Sequence, residues 1–380
     1  MKKTILTTAA LLGTAMGAQA GGLDRSGQDV GIVFEAGNRF ELSFGHARPS
    51  LDGVENGSTG TTNIIGGVAD SFSILGGGLR YELSPKLSVA VIVDEPYGTD
   101  VRYGGDPAAS ALGGTGAQVD SFAVTALARY KFDDAWSVHG GLRYQEIEAS
   151  VDLGGLAFGG LNGYRAEMES DSAVGYVFGA AFERPEIALR IALTYSSEIR
   201  HDLATRETLN GAPVSAPSET RVTAPESLNL EMQTGIAEGT LLFGSVRYAR
   251  YSDTRVSPTF FDLAVAPAEP GSSITDIEDS TDVEIGIGRR FNESFAGSLA
   301  IGYQSKGVDS LVSPLAPTNG ALYVSLGGSY TLTDSITLSG GLRYTEFGNA
   351  QPETGTPDTA RANFNDNSAV SAGFKIAYTF

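Results

Sequence analysis

Ile187-Ala-Leu-Arg-Ile-Ala-Leu-Thr-Tyr-Ser-Ser-Glu-Ile-Arg200 alternates along its length. Ile187, Leu189, Ile191, Leu193, Tyr195 and Ile199 share one face, and Ala188, Arg190, Ala192, Thr194, Ser196, Glu198 and Arg200 share the other. A period of two is the signature of a β-strand, because successive side chains leave a pleated backbone on opposite sides. Residues 320–332 and 368–380 repeat the pattern: a complete apolar face, and an opposite face that is small, hydroxylic or charged. A strand with lipid outside and a polar lumen inside reads this way. A soluble sandwich also alternates, so the loops must decide.

Fourteen such segments fall at 39–48, 70–83, 86–95, 118–132, 135–150, 172–184, 187–202, 222–236, 239–256, 279–291, 294–308, 320–332, 335–347 and 368–380. Their connections alternate strictly between short and long. The short ones are expected as two-residue turns: Ser84-Pro85, Asp133-Asp134, Pro185-Glu186, Ala237-Glu238, Asn292-Glu293 and Thr333-Asp334. The long ones (49–69, 96–117, 151–171, 203–221, 257–278, 309–319 and 348–367) are rich in Gly, Pro, Asp, Ser and Thr. Short turns at one end and long loops at the other are the layout of an outer-membrane barrel. An even strand number puts both ends of the barrel on the short-turn side. The fold expected is therefore all-β: a 14-stranded antiparallel transmembrane β-barrel over 39–380, with a short N-terminal plug segment over 21–38.

Aromatic side chains agree with two interfacial girdles. Tyr81, Phe132, Phe182 and Phe291 lie beside the short turns, and Tyr144, Tyr195, Tyr248, Tyr303 and Tyr344 lie towards the other end. Gly-Gly-Leu-Arg-Tyr occurs at 77–81, 140–144 and 340–344, and parity sends its Leu and Tyr outward and its Arg inward. The first twenty residues supply the compartment. Lys2 and Lys3, the short apolar run 5–16 and Ala18-Gln19-Ala20 form a secretory signal ending at residue 20. Its removal takes 26 basic residues to 24 against 45 acidic ones, a net charge of −21.

Composition narrows the function. The 380 residues include no cysteine, so a disulfide scaffold is excluded. Beyond residue 20 no run reaches the ~20 apolar residues that a helical span needs. An excess of acid argues against nucleic acid as a partner. Only three histidines exist, His46, His139 and His201, and no spaced nucleophile accompanies them. No catalytic residue, metal ligand or cofactor is expected. His201, beside Asp202, reads as a solvated rim histidine, and His139 as a hydrogen-bonding group in the lumen. Inward parity falls on Arg80, Arg129, Arg143, Arg190, Arg343 and Lys375, with Glu231 and Glu284. Most of these are read as an internal ladder of ion pairs. Arg143 and Arg190 are candidates to hold a ligand carboxylate, since a guanidinium can do so bidentately.

Four stretches carry a family resemblance: Lys86–Gly98, Ile191–Asp202, Ala224–Leu228 and Leu241–Tyr251. Together with the strand number they resemble the FadL/TodX-type (OMPP1) outer-membrane transporters for long-chain fatty acids and other hydrophobic compounds. The resemblance implies passive diffusion of a hydrophobic ligand through a plugged barrel. It implies exit sideways through a gap at a kink in the third strand, which the segment Pro96, Tyr97 and Gly98 follows. Pro96 cannot donate to a ladder. Leu23, Val30, Ile32 and Phe34 are the apolar candidates of the plug, although the family's Asn-Pro-Ala plug motif is not found. The expected ligands are fatty acids or similar hydrophobes. Outer-membrane lipid, lipopolysaccharide and the barrel assembly machinery, through Tyr378 and Phe380, are the other expected partners. The competing reading is a general porin for polar solutes.

Overall fold

The computed structural model describes residues 23–265 and 272–380. The expected signal, and Gly21 and Gly22 of the expected plug, lie outside the described residues. The rest forms fourteen antiparallel wall strands. They are β1 (Arg39–Ser50), β2 (Phe72–Ser84), β3 in two halves (Leu87–Asp94 and Gly98–Arg102), β4 (Gly116–Lys131), β5 (Trp136–Leu153) and β6 (Tyr164–Arg184). There follow β7 in two halves (Leu189–Ser196 and Ile199–Leu209), β8 in two halves (Ser218–Ala224 and Ser227–Ala237), β9 (Thr240–Ala249), β10 (Ser280–Arg290), β11 (Phe295–Gln304), β12 (Ala321–Thr331), β13 (Ile336–Phe347) and β14 (Ser368–Thr379). β1 pairs with β14 from Arg39↔Thr379 to Ser50↔Ser368, so the sheet closes on itself and has no edge. Closure pairs β1 with β14, whose free edges would otherwise stand where lipid offers no hydrogen bonds.

The two faces follow the alternation. In the three Gly-Gly-Leu-Arg-Tyr copies, Leu79, Tyr81, Leu142, Tyr144, Leu342 and Tyr344 are exposed to the outside, and Arg80, Arg143 and Arg343 are buried within. The glycine pairs allow the strands to approach: a Cβ on Gly141 would stand 1.8 Å from the Ala126 carbonyl oxygen. Exposed aromatics ring the turn end (Phe40, Tyr81, Phe132, Trp136, Phe291, Tyr378) and the opposite rim (Tyr144, Tyr176, Tyr248, Tyr303, Tyr344).

Several expectations need correction. Only Pro85-Lys86 and Glu238-Gly239 are two-residue turns; the other short connections have four residues. The reason is a side chain that completes the turn. Asp133 accepts from the amides of Ala135 (2.8 Å) and Trp136 (2.7 Å), and Asn292 from those of Ser294 (2.9 Å) and Phe295 (2.8 Å). Thr333 does the same for Ser335 and Ile336. Such side chains mimic a backbone turn and take their own residue out of the strand. The strand read over 187–202 begins at Leu189, after a 3-10 turn at Pro185–Ile187, and breaks at Ser197 and Glu198. The break shifts parity, so Ile199 is buried inside and Arg200 is exposed, the reverse of the simple alternation. β6 starts at Tyr164 and β5 runs to Leu153, so pairing extends beyond the girdle into residues read as loop. β9 and β11 are shorter than read, ending at Ala249 and Gln304.

Candidate functional site

The lumen divides into two compartments of opposite chemistry. In the outer half the inward side chains of β4 to β8 turn apolar: Ala117 and Val119, Ile147, Ala149 and Val151, Met168, Leu203, then Val222 and Ala224. With Val256, Ile277 and Leu315 they line an apolar-walled chamber, and the polar residues that border it are Thr99, Thr223, Thr254, Thr275, Ser313 and Tyr97. Among the described residues no acidic, basic or histidine side chain lines it. Its outer side is covered by the two-turn helix α1 (Thr259–Val265). Phe261 of this helix is buried in the chamber's cluster, and Phe260 stacks on Tyr164 at 6.2 Å. Glu207 fixes the helix: its buried carboxylate accepts from the amides of Phe260 (2.8 Å) and Phe261 (3.0 Å) and from the Tyr164 hydroxyl (2.7 Å).

The turn-side half is polar. Glu35, Glu41, Arg190, Glu231, Asp282, Glu284, Arg343 and Lys375 line a second cavity. Ion pairs tie much of it together, among them Arg343–Glu284 (2.9 Å), Lys375–Glu41 (3.4 Å) and Arg129–Glu183. This is the expected internal ladder. Arg143 is held instead by the hydroxyls of Thr125 (2.9 Å) and Ser196 (3.4 Å).

The N-terminal segment crosses both compartments. Val30, Ile32, Val33 and Phe34, around a 3-10 turn at Gly31–Phe34, pack against inward Ala90, Ile92, Leu127, Val177, Ala181 and Ala192. The Phe34 ring lies between the Arg129 (4.7 Å) and Arg190 (4.9 Å) guanidinium groups and edge-on to His139 (5.3 Å). His139 also meets the Thr194 hydroxyl at 2.9 Å, as a lumen histidine should. Between the compartments, buried Asp24 pairs with Arg247 (2.5 Å), which also bonds Ser227 and Asn229. Gln28 donates to the Tyr97 hydroxyl at 2.6 Å.

β3 breaks at Glu95, Pro96 and Tyr97. The β2–β3 ladder runs from Ser84↔Leu87 to Gly77↔Val93 and stops. The outer half of β3 pairs with β4 alone, from Gly98↔Asp120 to Arg102↔Gly116. Among the described residues no ladder joins Phe72–Gly76 to β3; the Leu75 amide reaches only the Glu95 side chain (3.4 Å), and backbone pairing resumes near the Ala69↔Val101 bridge. The wall therefore has an interruption beside lipid-facing Leu75 and Phe122. The N-terminal segment fills it from within: the Arg25 amide donates to the Pro96 carbonyl and the Gly98 amide to the Leu23 carbonyl, each at 2.8 Å. The Arg25 side chain lies over Phe72 at 4.6 Å and 3.7 Å from Asp120. Burial pulls its pKa below the usual arginine value, against Asp120, Glu95 and Asp100. Gly98 makes this possible, since a Cβ there would stand 2.1 Å from the guanidinium carbon.

The structure thus brings Leu23, Pro96, Tyr97 and Gly98 together at the chamber floor and wall interruption. Val30, Ile32, Phe34 and Arg190 gather in the polar half. Arg143 and Arg190 are both absent from the chamber lining. His201 is not a solvated rim group. It is fully buried, with Asp171 (3.2 Å) and Gln145 (3.1 Å) as partners, while Asp202 binds Arg221. The parity shift at Ser197 is the cause. The chamber residues were overlooked, yet a signal existed: the inward positions of β5 change from His139, Arg143 and Gln145 to Ile147, Ala149 and Val151.

A closed barrel with apolar bands outside and an apolar chamber within defines an outer-membrane channel for hydrophobic molecules, not an enzyme. The chain belongs to the family described as outer membrane protein transport protein (OMPP1/FadL/TodX), whose sequence model matches residues 74–380. No curated protein matches it by sequence. Among solved structures it is similar to a Pseudomonas aeruginosa FadL homologue, at 13% identity and a TM-score of 0.71 over 97% of each chain. It is also similar to the Ralstonia pickettii toluene transporter TbuX, at 13% identity and a TM-score of 0.61 over 96% of this chain and 97% of that one. The Pseudomonas putida toluene transporter TodX gives 11% identity and a TM-score of 0.63 over 96% of each. Identities this low carry the fold; members of the family are hydrophobic-compound channels of the outer membrane.

Proposed function

We propose that the protein passes uncharged hydrophobic molecules from the cell surface into its chamber and then sideways through the interruption at β3, without energy input. The observation that carries this reading is the charge-free lining of the chamber. A buried aromatic ring of ~150–250 Å² gains about 4–6 kcal/mol at ~25 cal/mol per Å². That corresponds to binding near the millimolar to tens-of-micromolar range, weak enough to release. A carboxylate entering the same lining would face a desolvation cost of several kcal/mol with no cation to offset it. The tail of a long-chain fatty acid suits the chamber and its head does not. Around the interruption, Asp70, Glu95, Asp100 and Asp120 add a local excess of negative charge over Arg25, which further disfavours an anion.

In this reading residues 23–38 are the plug, and Arg25, Pro96, Tyr97 and Gly98 form the lateral gate. Below the chamber lie the polar cavity and the packed Val30–Phe34 segment, so an apolar molecule finds its lowest-energy way out through the wall. The exposed, stacked Tyr378 and Phe380 (5.7 Å) end the strand offered to the assembly machinery, and the acidic outer loops face lipopolysaccharide and its divalent cations. The test is uptake of labelled toluene and labelled oleate by cells lacking their own hydrophobe channels, with and without this protein. Toluene uptake without oleate uptake is expected. Oleate uptake of equal rate would replace the neutral class by fatty acids. Ion conductance in a planar bilayer without uptake of either would leave a porin.

A further inference from the structure

We propose that Ala316, at the tip of an outer loop that turns back into the barrel, forms with Thr99 the size-selecting constriction between chamber and lateral exit. The inference rests on the proposed passage through the chamber to the wall. Behind the interruption lies a third cavity, a vestibule bordered by Arg25, Phe72, Gly98, Val101 and Phe347. Chamber and vestibule have two lining residues in common, Thr99 and Ala316. Chamber and polar cavity have none in common, and vestibule and polar cavity share Arg25. Thr99 and Ala316 therefore face both spaces, and the proposed path from chamber to wall runs between them.

The two sides of this passage are built differently. Thr99 lies in the outer half of β3, paired with Val119. Ala316 belongs to Ser313-Pro-Leu-Ala-Pro-Thr318, in the connection between β11 and β12. Leu315 is buried in the chamber's apolar cluster, and Ala316 is half-buried between the two cavities. The loop is preformed. Pro314 and Pro317 restrict its backbone. The Ala316 amide donates to the Ser313 carbonyl at 3.1 Å. At the base, buried Asn319 accepts from the Gly307 amide (2.8 Å) and donates to the Asp309 carbonyl (2.6 Å). On a rigid support the size of the side chain at 316 sets the proposed aperture, and alanine is the smallest side chain after glycine.

The experiment compares uptake of toluene and 1,3,5-trimethylbenzene by cells carrying the full-length protein, Ala316→Leu or Ala316→Gly. Equilibrium dialysis of both hydrocarbons against the purified proteins reports binding separately. Ala316→Leu is expected to lower trimethylbenzene uptake about tenfold or more, and toluene uptake less, so that the uptake ratio of the two changes more than their binding ratio. Ala316→Gly, which adds no atom and keeps the fold if the leucine variant does not, is expected to speed trimethylbenzene relative to toluene. An unchanged ratio of the two rates in correctly folded variants overturns the constriction and leaves the proposed function standing. Failure of the unaltered protein to take up either hydrocarbon overturns both.

Discussion

At the scale of single residues, the wall interruption is governed by two side chains that share one space. Arg25 occupies the volume that a Cβ on Gly98 would need, and its guanidinium stacks on Phe72. Arg25→Ala is therefore expected to raise hydrocarbon uptake by removing the group that fills the gap. Gly98→Leu in the same background is expected to lower it again, measured with labelled toluene in whole cells. Equal rates in all three proteins would remove the gate from this place. A second residue-scale prediction concerns Asp24 and Arg247, both nine-tenths buried or more. Removing one partner of a buried pair typically costs about 3–5 kcal/mol, whereas replacing both by apolar residues is often neutral. Asp24→Ala is expected to expose the amides of residues 23–34 to hydrogen exchange, and Asp24→Leu with Arg247→Met to protect them again. Neither arrangement was legible in the chain beforehand, because a lone Arg or Asp in an irregular segment carries no periodicity. Their partners lie on distant strands, Arg247 being 223 positions from Asp24, and only folding of the barrel brings them near.

Elements show how far alternation can be read and where it stops. Strand existence, number and facing followed from period two, and the copies at 77–81, 140–144 and 340–344 point their arginines inward as parity requires. Parity failed at Ser197 because one irregular pair flips every later side chain to the other face, which carried Ile199 and His201 inside. Turn lengths do not follow from alternation, because side-chain capping takes residues out of the strand ends. Phe132-Asp-Asp-Ala-Trp136, Phe291-Asn-Glu-Ser-Phe295 and Leu332-Thr-Asp-Ser-Ile336 repeat one pattern, a capping side chain between two lipid-facing residues. Asn292→Ala removes an acceptor for two amides and is expected to cost about 1 kcal/mol of unfolding free energy at any pH, with uptake unchanged. Asp133 performs the same task with a group that titrates. The Trp136 and Ala135 amides hold its carboxyl below the usual aspartate range. Its contribution is thus complete above the unfolded-state pKa and is lost as pH falls through the lower folded-state value. Urea unfolding of the unaltered protein and of Asp133→Ala is expected to differ at neutral pH and to converge on acidification. Divergence at low pH would contradict the assigned turn.

Across the whole molecule, the arrangement of chemistry along the lumen axis sets what can pass. A uniformly polar lumen would make a porin; here the polar half is narrowed by Phe34 held between two guanidinium groups, and among the described residues the chamber in the outer half is lined without a charged side chain. The division was partly legible, since the inward face of β5 changes character between Gln145 and Ile147. Its consequence was not, because the seal combines a short N-terminal segment with residues from many strands. If that segment is the seal, the intact protein conducts little in a planar bilayer despite its cavity of charged groups. Deleting residues 24–37 is then expected to produce large, salt-dependent conductance, because the remaining lumen presents Arg129, Arg190, Glu231 and Glu284 to water. Phe34→Ala should fall between the two. It forfeits about 3–5 kcal/mol of packing and leaves the Asp24–Arg247 anchor in place, so brief openings are expected. Should the deletion variant fold into a heat-modifiable barrel and still not conduct, the seal must lie higher, where Tyr97, Tyr251 and Arg247 meet beneath the chamber. Toluene uptake separates these cases further: a lost plug admits ions without abolishing the chamber, whereas a seal at Tyr97 couples the two compartments and would alter both readouts together.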